Sequence, residues 1–149
     1  MMRVIFKRLM MRRKPVMDMS VFVNGRLILR AYRADTFYSR MLGLHALPEL
    51  FGYQSLIIRP CHAVHTIGLS YHIDVLFLAS CGRVMKAVRL PPGRAAICIG
   101  ATQVIEAVAG TIEKFQLHEG TVLNIESGAA MLVAPIAAPG GLCSNDDFI

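Results

Sequence analysis

A chain of 149 residues lies within the size of one domain and is long enough to bury a core. Apolar residues make up 54% and charged residues 17%, which excludes a disordered chain and a strongly solvated helical bundle. The formal charge of +6 is unevenly placed: Arg3, Lys7, Arg8, Arg12, Arg13 and Lys14 precede any acidic residue, and the rest of the chain balances ten basic against ten acidic side chains. A nucleic-acid protein needs its Lys and Arg spread over a folded face, so no nucleic-acid partner is expected.

Residues 1–18 read as a basic flexible arm, with Met17 and Met19 as alternative translation starts. The arm could touch an anionic membrane surface through residues 1–14, each Lys or Arg contributing about 1 kcal/mol near such a surface. Lys7 and Arg8 interrupt the apolar pieces that an export signal would need, so the expected location is the cytoplasm. In that setting the four cysteines, with no C-x-x-C pair among them, are expected as reduced thiols.

Val21–Val23 and Arg26–Arg30 flank Asn24-Gly25, the dipeptide best suited to a type I′ turn, so a β-hairpin opens the fold. Asp35 reads as the N-cap of a short helix over 36–42, with Gly43 past its end. Leu56-Ile57-Ile58 is an aliphatic strand. After Pro60 an extended run to Ile67 would place Cys61, Ala63, His65 and Ile67 on one face and His62, Val64 and Thr66 on the other. Ile73–Leu78 is nearly continuous hydrophobe, as a strand covered on both faces should be, and Ser80-Cys81-Gly82 turns it into a strand over Arg83–Leu90. Pro91-Pro92-Gly93 is a break. Thr102–Val108 reads as a strand, Ile112–Leu117 as a second short helix, and Thr121–Ile125 as the last strand. Residues 19–127 then form the domain, and 128–149 an Ala/Pro/Gly-rich tail too broken by Pro and Gly to span a bilayer. The expected fold is α+β, a small closed or strongly curled, mostly antiparallel β-barrel-like sheet with two short helices.

This order of elements resembles the domain of unknown function 192 family. The resemblance rests on Arg40-Met41-Leu42-Gly43-Leu44, the block from Pro60 to Leu69, Ile73-Asp74-Val75-Leu76-Phe77, Gly82-Arg83-Val84, and Val104 to Gly110 leading to Gly120. His65-Thr66 is similar to a His-Thr branch of that family. The resemblance implies a small single-domain β-barrel-like α+β fold and carries no catalytic residue with it.

Asp74 and Glu106 stand in apolar strand runs, where a carboxylate is tolerated only if paired or hydrogen-bonded. Arg40 is the expected counter-ion, with His65 and Thr66 as neighbours. These five residues are the candidates for a structural polar network or for the floor of a small polar pocket. The first functional expectation is a non-catalytic binding or accessory domain holding a small polar ligand or protein partner, with no cofactor. The second is a small hydrolase or metal-dependent enzyme using Cys61, His62 and His65. Strand alternation opposes it as a metal site by turning His62 away, and residues i and i+4 of a strand stand about 13 Å apart, too far for a Cys61–His65 dyad. The third is membrane-surface docking through the basic arm. Catalytic residues and oligomeric state are not legible in the sequence.

Overall fold

The computed structural model describes residues 18–34 and 55–127. Nine strands and one short helix occupy these residues: β1 (Asp18–Val23), β2 (Arg26–Ala34), β3 (Ser55–Ile58), β4 (Ala63–His65), β5 (Ile73–Leu78), β6 (Val84–Leu90), β7 (Ala95–Ile97), β8 (Gln103–Val108), α1 (Thr111–Phe115) and β9 (Asn124–Ser127).

The opening hairpin forms as expected. Asn24 and Gly25 both take positive φ, 49° and 75°, the pair of angles that lets a two-residue turn follow the twist of its strands. β2 then runs parallel to β3, and the remaining ladders are antiparallel, giving a seven-stranded sheet in the order β6-β5-β8-β3-β2-β1-β9. A separate two-stranded ribbon pairs β4 with β7. Residues 95–97 carried no strand expectation, because the Pro-Pro-Gly break hides three residues whose pairing is supplied by β4.

β5 lies inside the sheet between β6 and β8, and all six of its residues are buried. Its continuous apolar character follows from cover on both faces. On one face Leu76, Leu78, Ile105 and Ile57 pack with Leu117 and Leu123 in the core that also contacts Ile112 of α1. On the other face Val75, Phe77 and Val104 pack beneath Val64 of the ribbon.

The sheet, expected as closed or strongly curled, does not close into a barrel. β6 and β9 are the two edges of the sheet and do not pair with each other. The chain just before β9 lies along the start of β6 instead, with Val84 N–H donating to Thr121 C=O (2.8 Å) and Leu123 N–H to Gly82 C=O (2.9 Å). An isolated bridge, Arg83 to Val122, forms there, flanked by a third hydrogen bond from Gly120 N–H to Val84 C=O (2.9 Å), and Gly82 and Gly120 take positive φ, 84° and 91°. The last strand begins at Asn124 rather than Thr121, because residues 120–123 lie against the start of β6 and the ladder with β1 starts only at Asn124. Of the two expected helices, the second is present as α1, and the helix over 36–42 lies outside the described residues.

This close approach gives a direct test. A Cβ at Gly82 would stand 2.2 Å from the Leu123 carbonyl oxygen, whereas one at Gly25 would meet nothing within 4 Å. Gly25→Ala is expected to lose about 1–2 kcal/mol for its left-handed backbone alone. Gly82→Ala should lose clearly more in a urea melt, and equal midpoints for the two variants would refute the approach of β6 to the 120–123 segment.

Cys81 is disulfide-bonded, which corrects the expectation of reduced thiols throughout, while Cys61 and Cys98 keep their thiols. Spacing along the chain could not show this, since pairing depends on proximity in space.

Candidate functional site

The residues singled out from sequence fall into three groups. Asp74 is fully buried near the start of β5, yet its carboxylate is well supplied with donors. Arg89, its direct cross-strand partner on β6, donates through Nε to Oδ1 at 2.8 Å and through its terminal nitrogen to Oδ2 at 3.3 Å. The backbone N–H groups of Gly110 and Ile112 donate to Oδ2 at 3.0 and 2.9 Å. Gly110 occupies the N-cap of α1 and has no side chain to offer, so a residue 36 positions earlier supplies the acceptor that a capping Ser or Asp normally gives. Arg89 also pairs with Glu113 in the first turn of α1. Hydrogen bonding to Asp74, then to Glu113, holds the guanidinium pKa above its ordinary value.

Arg89 was missed as the partner of Asp74 because the register that joins them is not set by the turn alone. Folding the two strands about Ser80-Cys81-Gly82 would set position 74 opposite Val88, and the irregularity between Phe77 and Leu78 shifts the register by one and brings Arg89 opposite instead. Arg40, the expected partner, lies outside the described residues.

Glu106 is also buried, and it is engaged by a partner. It does not share a face with Asp74. In the β5–β8 ladder Asp74 stands opposite Ala107 and Val75 opposite Glu106, so alternation directs the two carboxylates to opposite sides of the sheet. The single network expected for both acids therefore divides in two.

His65 and Thr66 belong to the ribbon, not to the surroundings of Asp74. Thr66 is fully buried; its hydroxyl donates to Pro91 C=O (2.5 Å) and accepts from Arg94 N–H (2.9 Å). It pins the Pro-Pro-Gly turn to the end of β4, a structural use that absorbs its polar atoms. His65 is exposed and engaged elsewhere. His62, expected on the same face as Val64 and Thr66, is exposed whereas those two are buried, because the strand spans Ala63–His65 alone. Cys61 Sγ lies 3.2 Å from Ala63 C=O, a local contact within its own segment. Among the described residues no group of three or more His, Cys, Asp or Glu is placed to hold a metal ion.

What the Pro60–Leu69 block does build is an outward face. In the β4–β7 register Ala63 stands opposite Ile97 and His65 opposite Ala95, and these four are exposed while Val64 and Ala96 turn inward. Cys98 N–H to His62 C=O and Thr66 N–H to Arg94 C=O extend the ribbon at its two ends. It is tied to the main sheet through Cys61 N–H to Thr102 C=O and Thr102 N–H to Leu78 C=O. Ile67 and Ile99, in the turns beyond either end, are 65% and 87% exposed, and Ile97 between them 54%.

The fold and this face define a small mixed-sheet domain with a two-stranded ribbon laid over one side of its core. A family model matches residues 19–125, and the chain belongs to the domain of unknown function 192 family, DUF192, described as an uncharacterized ACR. A solved protein of unknown function from Novosphingobium aromaticivorans has a similar fold, with TM-score 0.60 at 19% identity over 72% of this chain and 83% of that one. A putative transcription regulator from Sinorhizobium meliloti is similar at TM-score 0.61 and 17% identity, over 74% of this chain and 92% of that one. None of the curated proteins matches the chain.

Proposed function

We propose that this protein is a non-catalytic binding or accessory domain that engages its partner through the outward face of the β4–β7 ribbon. The observation that carries this is the exposure of three isoleucines, Ile67, Ile97 and Ile99, on the segment whose inward residues are used for packing. Exposed isoleucines on one strand of the ribbon and in the turns at both its ends support its reading as a contact surface. A polar pocket around Asp74 is less well supported, because among the described residues the donors at that carboxylate, from Arg89, Gly110 and Ile112, are already committed to it. The hydrolase alternative has less support still, since the Cys61 thiol lies 3.2 Å from Ala63 C=O and both His62 and His65 are exposed.

Photo-crosslinking in cells tests the proposal. A crosslinking side chain at Ile97 should capture a molecule that the same group at the exposed Leu27, on the opening hairpin, does not. Equal capture at both positions, or a turnover activity abolished by Cys61→Ser, would overturn it.

A further inference from the structure

We propose that Cys61 and Cys98 form a redox pair, closing to a reversible disulfide where the ribbon meets the main sheet. This goes beyond the contact surface proposed above and does not depend on it.

Three backbone hydrogen bonds join the two residues in one closed circuit. Cys98 N–H donates to His62 C=O at 2.9 Å, Cys61 N–H to Thr102 C=O at 3.1 Å, and Ala101 N–H to Cys98 C=O at 3.2 Å. Cys98 is thus hydrogen-bonded to the residue that follows Cys61, and Cys61 to the residue that follows the turn begun by Cys98. Their side chains pack on the same apolar cluster, beside Val64 and Ala101. Alternation along β4 breaks at residue 62, where His62 is exposed and Val64 buried, and this break lets Cys61 reach that cluster as Cys98 does. Both residues keep their thiols and are half-buried, within reach of a small molecule in solvent. Cys81 already carries a disulfide, so the chain meets conditions in which thiols oxidise.

Thiol–disulfide exchange supplies the step. The thiolate of one cysteine attacks a sulfur of a small-molecule disulfide, forming a mixed disulfide and releasing one small thiol. The thiolate of the other attacks the protein sulfur of that mixed disulfide, the Cys61–Cys98 bond forms, and the second small thiol leaves. The two cysteine protons end on the two released thiols, and one small disulfide has been reduced. The bridge gives up the contact of Cys61 Sγ with Ala63 C=O, a weak thiol hydrogen bond. It fastens the end of β7 to the segment between β3 and β4, next to the exposed Ile97 and Ile99.

The test is oxidation of the full chain by oxidised glutathione, read by intact mass and peptide mapping. The folded parent should lose two hydrogens, show a Cys61–Cys98 link, and recover both thiols in excess reduced glutathione. Cys61→Ser and Cys98→Ser should each stall as a glutathione adduct on the remaining cysteine. In urea the parent should form the link at least about tenfold more slowly, because only closure of a long loop then brings the sulfurs together. That comparison needs no substitution, so it decides the matter even where a serine variant fails to fold. Stable adducts at both cysteines of the folded parent, no reaction at either thiol, a link to Cys81 instead, a bond that excess reduced glutathione leaves intact, or equal rates in urea would each overturn the pair.

Discussion

Replacing Asp74 with Ala should destabilise the domain by about 2–4 kcal/mol, because the half-buried backbone N–H groups of Gly110 and Ile112 lose an acceptor held by a fully buried side chain. Arg89 loses its main partner too. It keeps Glu113 and is itself partly exposed, so it can rehydrate, and the orphaned amides dominate the loss. Asp74→Asn retains an oxygen for those amides while removing the charge, and it should fall between the parent and Ala. Arg89→Met removes the guanidinium but leaves Asp74 with its two backbone donors, so it should cost less than Asp74→Ala. Urea denaturation of the three variants and of the Asp74→Ala/Arg89→Met double variant provides the check. Residues that share one hydrogen-bonded network give a double variant that loses less than the two singles together. Additive losses, or an Asp74→Ala midpoint within error of the parent, would show that the carboxylate does not hold α1 to β5.

The second large effect lies on the other face of the same strand. Phe77 is fully buried among Val75, Val104 and Val64, and Phe77→Ala should cost about 3–5 kcal/mol through lost burial and the cavity it leaves. The cavity opens directly beneath the ribbon, so the loss should not be spread evenly. Amide hydrogen exchange at Val64 and Ala96 should accelerate more than exchange at Val21 and Leu29, which pack in the opposite core. A variant with uniformly raised exchange would mean that the ribbon does not depend on this cluster. One that melts as the parent does would remove β5 from the centre of the core.

The two effects together separate the roles of β5. Its Asp74 face joins the sheet to α1, and its Phe77 face supports the ribbon that carries the proposed docking surface. Damage at Asp74 should leave crosslinking at Ile97 largely intact in protein that remains folded, whereas damage at Phe77 should weaken it.

Local chemistry alone determined several parts of this fold. Asn24-Gly25 required a hairpin because few other dipeptides tolerate two successive positive φ angles. Ile73–Leu78 announced a strand buried on both sides because nothing in it can face water except Asp74, and that residue announced its own need for partners. The family resemblance across residues 19–125 was legible for the same reason, being carried by these local runs. Contacts between segments distant in sequence were decided only by the tertiary structure. Asp74 found its acceptor role at Gly110 and Ile112, a helix start that lacks a cap of its own. β7 became a strand because β4 offered it a ladder, and the sheet stayed open because β9 pairs with β1 while only the residues just before it reach β6. The ribbon's outward face belongs to this second kind, since Ile67, Ile97 and Ile99 read as ordinary apolar residues until packing uses Val64 and Ala96 and leaves them exposed. A period-two pattern says which residues share a side, and only the neighbouring layer decides which side is covered.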